Sequence, residues 1–232
     1  MELALKIFEV VDAGLQTTII KNDGDRIRNG DIAFIVEGKA QSILMAERLV
    51  LNCMQRMSGI ATYTHKLCML IEGTPARLMD TRKTTPNFRL MEKWAVAIGG
   101  GMNHRFALYD MVMLKDNHID MAGGVRAAIE QVHGYLRTNN KSLKIEVETR
   151  TLAEVEEVLQ VGGVDVIMLD NMSTDQMKQA VKLIGGKHKT EASGGITETT
   201  LRAVAECGVD YISVGALTHS VKSLDLSLKV VK

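Results

Sequence analysis

The sequence has no net formal charge, since its 28 basic residues are balanced by 28 acidic ones. That excludes a surface built on bulk positive charge for nucleic acid or an anionic membrane; any anion must be met by cations gathered locally. Cysteine is scarce. Cys53, Cys68 and Cys207 form no CxxC pair and are odd in number, which sets aside a disulfide framework and points to a reduced, cytoplasmic setting. Tryptophan occurs once against fourteen methionines, a composition that suits an adaptable core. No run is apolar enough to span a bilayer, because residues 43–57 are interrupted by Glu47, Arg48, Gln55 and Arg56. The first residues, MELA, lack the basic start and apolar run of a signal peptide. HExxH, His/Cys zinc spacing, the GxSxG elbow and the Walker A loop are also missing, so the chemistries they serve have no support.

What is present has a two-part organisation. Residues 1–13 place Leu3, Ile7, Val10 and Val11 on one helical face, with Gly14 as the stop. Short β-type runs at 17–20 and 32–36 flank two turn signals, NDGD and RNGD. Residues 41–72 read as a long helix, broken near Ser58-Gly59 and apolar on nearly every side, hence buried between two bodies of structure. Beyond Gly73 a strand–loop–helix unit repeats. Strands are expected over 77–80, 111–114, 143–148, 166–169, 190–192 and 211–214. Helices are expected over 88–98, 124–133, 152–161, 174–184 and 198–206, closed by Gly99, Gly134, Gly162, Gly185 and Gly208. Such alternation requires parallel pairing through right-handed crossovers. Six units fall short of the eight of a full barrel, and periodicity alone leaves an open doubly wound sheet as the alternative. The tail alternates Leu224, Leu226, Leu228 and Val230, which is strand-like.

The ends of the expected strands carry the chemistry: Arg82-Lys83, Lys115, Glu148, Asp170, Ser193-Gly194-Gly195 and Val214-Gly215-Ala216. In parallel α/β proteins these ends form the active site. Ser193–Gly195, read as opening a helix, and the VGA turn together suit a phosphate cradle. Glu148 and Asp170 suit Mg²⁺ held largely through substrate oxygens and water. Glu148 is preferred to Glu146 on strand alternation. His104 beside Arg105 suits a substrate contact. His118 is equally a structural hydrogen-bonding residue, and His65, His133, His188 and His219 sit in no motif. Arg56 lies among Cys53, Met54, Met57 and Ile60; spacing alone is even between a snorkelling surface arginine and a functional one.

Three segments, DTRKTTPNFR, GGGMNHRFALYD and MVMLKDNHI, closely resemble in order and spacing the signature of the quinolinate phosphoribosyltransferases, the decarboxylating nicotinate-nucleotide pyrophosphorylases. The resemblance runs from about Asp23 to Val221. It implies an α/β fold: an incomplete parallel α/β barrel of the type II phosphoribosyltransferase kind over 73–218, with a smaller N-terminal α/β sandwich domain over 1–72 to which the tail 219–232 returns. It implies phosphoribosyl transfer from 5-phosphoribosyl-1-diphosphate to quinolinate with decarboxylation, giving nicotinate mononucleotide, CO2 and diphosphate in NAD biosynthesis, with Mg²⁺ as cofactor. On that resemblance Arg56, Thr81, Arg82, His104, Arg105 and Lys115 bind substrate, with Arg56 donated across a homodimer or higher assembly; the match of LNCMQRMSGIAT to the family's helix motif carries this last point. Lys83, Lys115, Glu148 and Asp170 carry catalysis around the ribose, diphosphate and metal. Ser193, Gly194, Gly195, Val214, Gly215 and Ala216 hold a phosphate. The competing readings are a molybdenum-associated pyrophosphorylase-like relative and a non-catalytic phosphate-sugar binding protein. Members of the family usually carry a further N-terminal stretch before the position matching Met1; an engineered shortening, a mis-set start or a trimmed natural form would each account for the difference.

Overall fold

A computed structural model describes residues 1–231. In chain order the elements are α1 (Glu2–Val11), β1 (Gln16–Ile19), β2 (Phe34–Glu37), α2 (Ala40–Leu70), β3 (Arg77–Met79), α3 (Arg89–Ile98), β4 (Val112–Leu114), α4 (Asp116–Ala122) and α5 (Val125–Thr138). There follow β5 (Ile145–Thr149), α6 (Leu152–Val161), β6 (Val166–Asp170), α7 (Thr174–Ile184), β7 (Lys189–Ser193), α8 (Leu201–Ala205), β8 (Tyr211–Ser213) and α9 (Ala216–His219). They group into two compact units. The first comprises Met1–His65, Thr84–Gly100 and the chain from Ala216 onward; the second comprises Lys66–Lys83 and Gly101–Gly215.

In the first unit, β1 and β2 pair antiparallel from Gln16 opposite Glu37 to Ile19 opposite Phe34. Ala4, Ile7 and Phe8 of α1 share one helical face and pack with Ala46, Val50 and Cys53 of α2. Phe34 closes this core edge-on against Phe8, with ring centroids 5.8 Å apart. Helix α2 corrects two expectations. It runs unbroken past Ser58-Gly59, and Gly59 has another purpose. A Cβ there would lie 2.3 Å from the Lys222 carbonyl oxygen, so the glycine admits the C-terminal tail against the helix. Nor is α2 buried all round, because Leu44, Met45 and Leu49 are 67%, 69% and 56% exposed. The tail forms no strand. Its alternation still has a physical basis: Leu224, Leu226 and Leu228 are half-buried between exposed neighbours. Leu224 N–H donates to the Gln55 carbonyl at 3.0 Å, and the Gln55 amide donates to the Leu226 carbonyl at 2.8 Å.

The second unit is a six-stranded parallel sheet in the order β3-β8-β7-β6-β5-β4. That order separates the two architectures left open above. A doubly wound sheet starts near its middle and reverses direction. Here the first strand in sequence is one edge, the second is the other edge, and the remaining four run in sequence between them. This is a barrel order opened between β3 and β4, as expected for an incomplete barrel. On the open side of β3 a single parallel bridge joins Met79 to Met102. Apolar side chains fill the strands, with Val147, Ile167, Leu169, Ala192 and Ile212 fully buried. Glycine ends α4, α6 and α7 at Gly123, Gly162 and Gly185, in positive-φ conformations. Gly134 is not a cap: α5 continues through it to Thr138. Helix α4, immediately after β4, was not expected.

Candidate active site

Every candidate cluster in the second unit lies at or just past the C-terminal end of a parallel strand, or in the loop entered from one. Thr81, Arg82 and Lys83 follow β3, with the Thr81 hydroxyl accepting the Lys83 N–H at 3.0 Å. Lys115 follows β4 and caps α4, where its N–H donates to His118 Nδ1 at 3.0 Å; this gives His118 a structural role. Glu148 is the penultimate residue of β5 and Asp170 the last of β6. Burial raises the Glu148 carboxyl above its ordinary value, the Asp170 charge raises it further, and Lys115 works against both. Glu148 therefore feels the charges of both Asp170 and Lys115.

Two arginines in the same unit act on each other by charge. Arg105 is held by a hydrogen bond from Nη1 to the Met111 carbonyl at 3.0 Å. Burial lowers its pKa and the like charge of Arg82 lowers it further. Such a pair is unfavourable in isolation and becomes favourable around an anion, above all a planar carboxylate that accepts bidentate hydrogen bonds.

Beneath it lies a cluster that the sequence did not single out. His104 is buried, and so are Asp80, Glu146 and Glu191. Asp80 Oδ1 accepts the His104 N–H at 2.8 Å. The ring's Nε2 is 3.0 Å from Glu146 Oε2 and 3.4 Å from Glu191 Oε2, while Nδ1 accepts the Arg105 N–H at 2.6 Å. Burial opposes a charged ring, but Glu146 and Glu191 outweigh it and push His104 up to about 9. The Arg105 contact pulls the other way, because a proton on Nδ1 would meet that N–H head on. Burial likewise drives Glu146 upward. Strand alternation does not choose between Glu146 and Glu148, contrary to the expectation, since residues two apart share a face. What differs is depth: Glu146 is fully buried, whereas Glu148 is 9% exposed nearer the strand end. The available signal for the missed residues was a carboxylate in mid-strand, in IEVET and TEAS, where little but a buried partner explains its presence.

The glycine turns are arranged differently from expectation. Helix α8 begins only at Leu201, so Ser193–Gly195 does not open a helix. Gly194 has φ +89°, and a Cβ on it would lie 2.3 Å from Asn171 Oδ1. That asparagine in turn donates to Asp170 Oδ2 at 2.6 Å, so Gly194 serves the placement of Asp170. Gly195, φ +60°, has open space beside it and leaves its backbone approachable. Val214, whose N–H donates to the Met79 carbonyl, and Gly215 follow β8; Ala216 begins α9 in the first unit.

Arg56 also lies in the first unit, and its partners are there. Nε and Nη2 donate to the fully buried Glu92 Oε1 at 3.1 and 2.8 Å, Nη1 donates to the Val221 carbonyl at 2.6 Å, and Nη2 also reaches the Thr218 carbonyl. Glu92 additionally accepts the Thr85 N–H and hydroxyl, each at 2.9 Å. Delivery of Arg56 to another molecule would require this whole set to open. On the same helix Arg48 is exposed beside Leu44, Met45 and Leu49.

Comparison with known proteins gives a consistent result. The family description "Quinolinate phosphoribosyl transferase, C-terminal domain" matches residues 60–229, and the corresponding N-terminal domain matches residues 1–58. The chain is 50% identical over 242 residues to quinolinate phosphoribosyltransferase (decarboxylating) 1b of Nicotiana tabacum, covering 98% of this chain and 69% of that protein. It is equally 50% identical over 242 residues to the chloroplastic nicotinate-nucleotide pyrophosphorylase (carboxylating) of Arabidopsis thaliana, with the same coverage of 98% and 69%. The crystal structure of NadC from Streptococcus pyogenes superposes with a TM-score of 0.93 at 44% identity, over 99% of this chain and 80% of that one.

Proposed function

This chain belongs to the quinolinate phosphoribosyltransferase family, and on that premise we propose that it joins quinolinate to the ribose of 5-phosphoribosyl-1-diphosphate and removes the 2-carboxylate as CO2. The observation that carries this reading to the residues is the set Arg82, Lys83, Lys115, Glu148 and Asp170 at or just past the C-terminal ends of parallel strands, with Arg105 in the same unit. A dicarboxylate relieves the repulsion between the two guanidiniums, and a pentose flanked by carboxylates suits cationic character at its anomeric carbon.

In the proposed reaction the pyridine nitrogen attacks the anomeric carbon, and the carbon–oxygen bond to diphosphate breaks with its electron pair leaving on oxygen. Positive charge grows on the ribose and negative charge on the leaving group. Glu148 and Asp170 stabilise the first, and Lys83 and Lys115 the second. The resulting pyridinium accepts the charge left at C2 when the C2–carboxylate bond breaks, and C2 then takes a proton. Arg82, Arg105 and Lys115 hold the dicarboxylate in this scheme. Ser193–Gly195, with Gly195 most accessible, and the Val214–Ala216 turn hold a phosphate.

Glu148 and Asp170 fit Mg²⁺: both are oxygen donors, and the repulsion that raises Glu148 is what a divalent cation would relieve. When bound, the ion would neutralise charge on the diphosphate. A second copy of the chain belongs to the proposal, its support being the exposed apolar residues of α2. Arg48 on that face is better placed than Arg56 to be offered to a partner. A cytoplasmic setting is supported by three free cysteines; among the described residues no helix is long and apolar enough to cross a membrane.

The test is direct. Purified protein with quinolinate, 5-phosphoribosyl-1-diphosphate and Mg²⁺ should form nicotinate mononucleotide and CO2 in equal amounts. Absence of both from folded protein would overturn the reading.

A further inference from the structure

We propose that Glu146 and Glu191 are positioning residues that act through His104 to set the placement of Arg105. This deepens the functional reading above and rests on it for its catalytic consequence. The cluster joins three separate parts of the sheet. Glu146 comes from β5, Glu191 from β7, and His104 from the segment that bridges β3 at Met102. Both ring nitrogens of His104 face protein atoms: Nδ1 faces the Arg105 N–H at 2.6 Å and Nε2 faces the two carboxylates. A neutral imidazole has one donor and one acceptor nitrogen. In the neutral ring the Arg105 N–H makes Nδ1 the acceptor, so the single ring proton lies on Nε2, the nitrogen 3.0 Å from Glu146 Oε2 and 3.4 Å from Glu191 Oε2.

That assignment decides between two uses of the cluster. His104, Glu146 and Glu191 present three ligand atoms within 4.8 Å of one another, a spacing a metal ion could span. Nε2 cannot ligate a metal while it carries the proton. With Nδ1 committed to Arg105, the two carboxylates hold the ring by charge at 3.0 and 3.4 Å from Nε2. The ring then anchors the 104–105 peptide through the Arg105 N–H, Asp80 holds the preceding 103–104 peptide through the His104 N–H at 2.8 Å, and the Arg105 guanidinium is fastened at its far end to the Met111 carbonyl. The charged groups facing the ring are thus Asp80 on the β3 side, Glu146 on β5, Glu191 on β7 and Arg105 beside it. Arg105 itself faces Arg82, Glu146 and Asp110. Removing either glutamate frees the ring to turn, and the fork moves with the peptide. Displacing a binding group by about 1 Å costs on the order of 10²-fold.

Two measurements test this. In ¹⁵N-histidine NMR of the unmodified protein above about pH 9, where the ring is neutral, His104 should show a bare Nδ1 and a protonated Nε2; the opposite tautomer would overturn the proposal whether or not any variant folds. In kinetics, Glu191→Gln and Glu146→Gln should raise KM for quinolinate roughly ten- to hundredfold, leave KM for 5-phosphoribosyl-1-diphosphate near the original, and recover in part as Glu191→Asp. An unchanged quinolinate KM in folded variants would refute it. So would stoichiometric Zn²⁺ or Mn²⁺ binding that either substitution abolishes. If the unmodified protein forms no nicotinate mononucleotide, it is the functional reading that fails, and the tautomer measurement still judges the geometry.

Discussion

Replacing Arg56 by alanine separates a structural role for this arginine from a substrate-binding one. Its guanidinium makes two contacts to Glu92 Oε1 and one each to the Thr218 and Val221 carbonyls. Glu92 is fully buried, while the Arg56 side chain is 22% exposed. Removing one partner of a buried ion pair costs about 3–5 kcal/mol, because the remaining charge is left uncompensated. Glu92 would keep the two Thr85 donors, and water can approach from the arginine side, so the lower end applies, about 3 kcal/mol. Arg56→Lys keeps the charge but not the fork and should cost about 1–2 kcal/mol. Glu92→Gln, which leaves no buried anion, should cost about as little. Urea unfolding would measure all three, and the double variant Arg56→Ala/Glu92→Gln should be less destabilised than the sum of its parts. The tail offers a second assay: Lys222 follows the clamped Val221 carbonyl, so trypsin should cut there faster in Arg56→Ala. A stability change within about 0.5 kcal/mol, together with unaltered cleavage, would refute the clamp. Loss of activity in such an unaltered protein would return Arg56 to the substrate.

Arg105→Lys should raise KM for quinolinate severely with little loss of stability, because a point charge cannot replace a fork anchored on Met111; steady-state kinetics would show it. Gly59→Ala should loosen the tail, since its methyl group would meet the Lys222 carbonyl oxygen at 2.3 Å, and trypsin cleavage at Lys222 would report it. Asp210 supplies a pH test. Burial works to raise its carboxyl, but Lys189 and the Thr190 N–H and hydroxyl outweigh that and hold it below the ordinary value. A depressed folded pKa contributes stability above the unfolded value of about 3.9 and loses it as pH falls through the folded one. The gap in urea midpoint between the unmodified protein and Asp210→Asn should therefore be constant near neutrality and close only in acid. Glu148→Gln and Asp170→Asn should each weaken Mg²⁺-dependent turnover, with the Mg²⁺ titration midpoint moving upward.

The fold was legible where two signals agreed. Helices α6 and α7 were placed at their observed bounds because apolar periodicity ended at Gly162 and Gly185, and both also begin with capping boxes, Thr151 with Glu154 and Ser173 with Gln176. A single signal misled. Gly134 looked like a cap but is an interior residue of a longer helix, and Ser58-Gly59 looked like a break but is a site of close approach. The tail's alternation read as strand-like but no strand forms; the alternation marks the burial of Leu224, Leu226 and Leu228, and strand pairing is long-range with no local sign. Cations at strand ends were readable because buried strands do not otherwise finish on Arg82-Lys83 or Lys115. Glu146 and Glu191 were not, because their justification is each other and His104, residues 42–87 positions apart in sequence.

The first unit is built from both ends of the chain, with Arg56 waiting on carbonyls at Thr218 and Val221. Synthesis at about 5–20 residues per second separates the emergence of α1 from that of the tail by roughly 10–40 s. All the strands of the second unit have been made by Ser213, before its partner has received its last segment. The side of α2 around Gln55 and Gly59, made early, is therefore the one that waits longest for its cover.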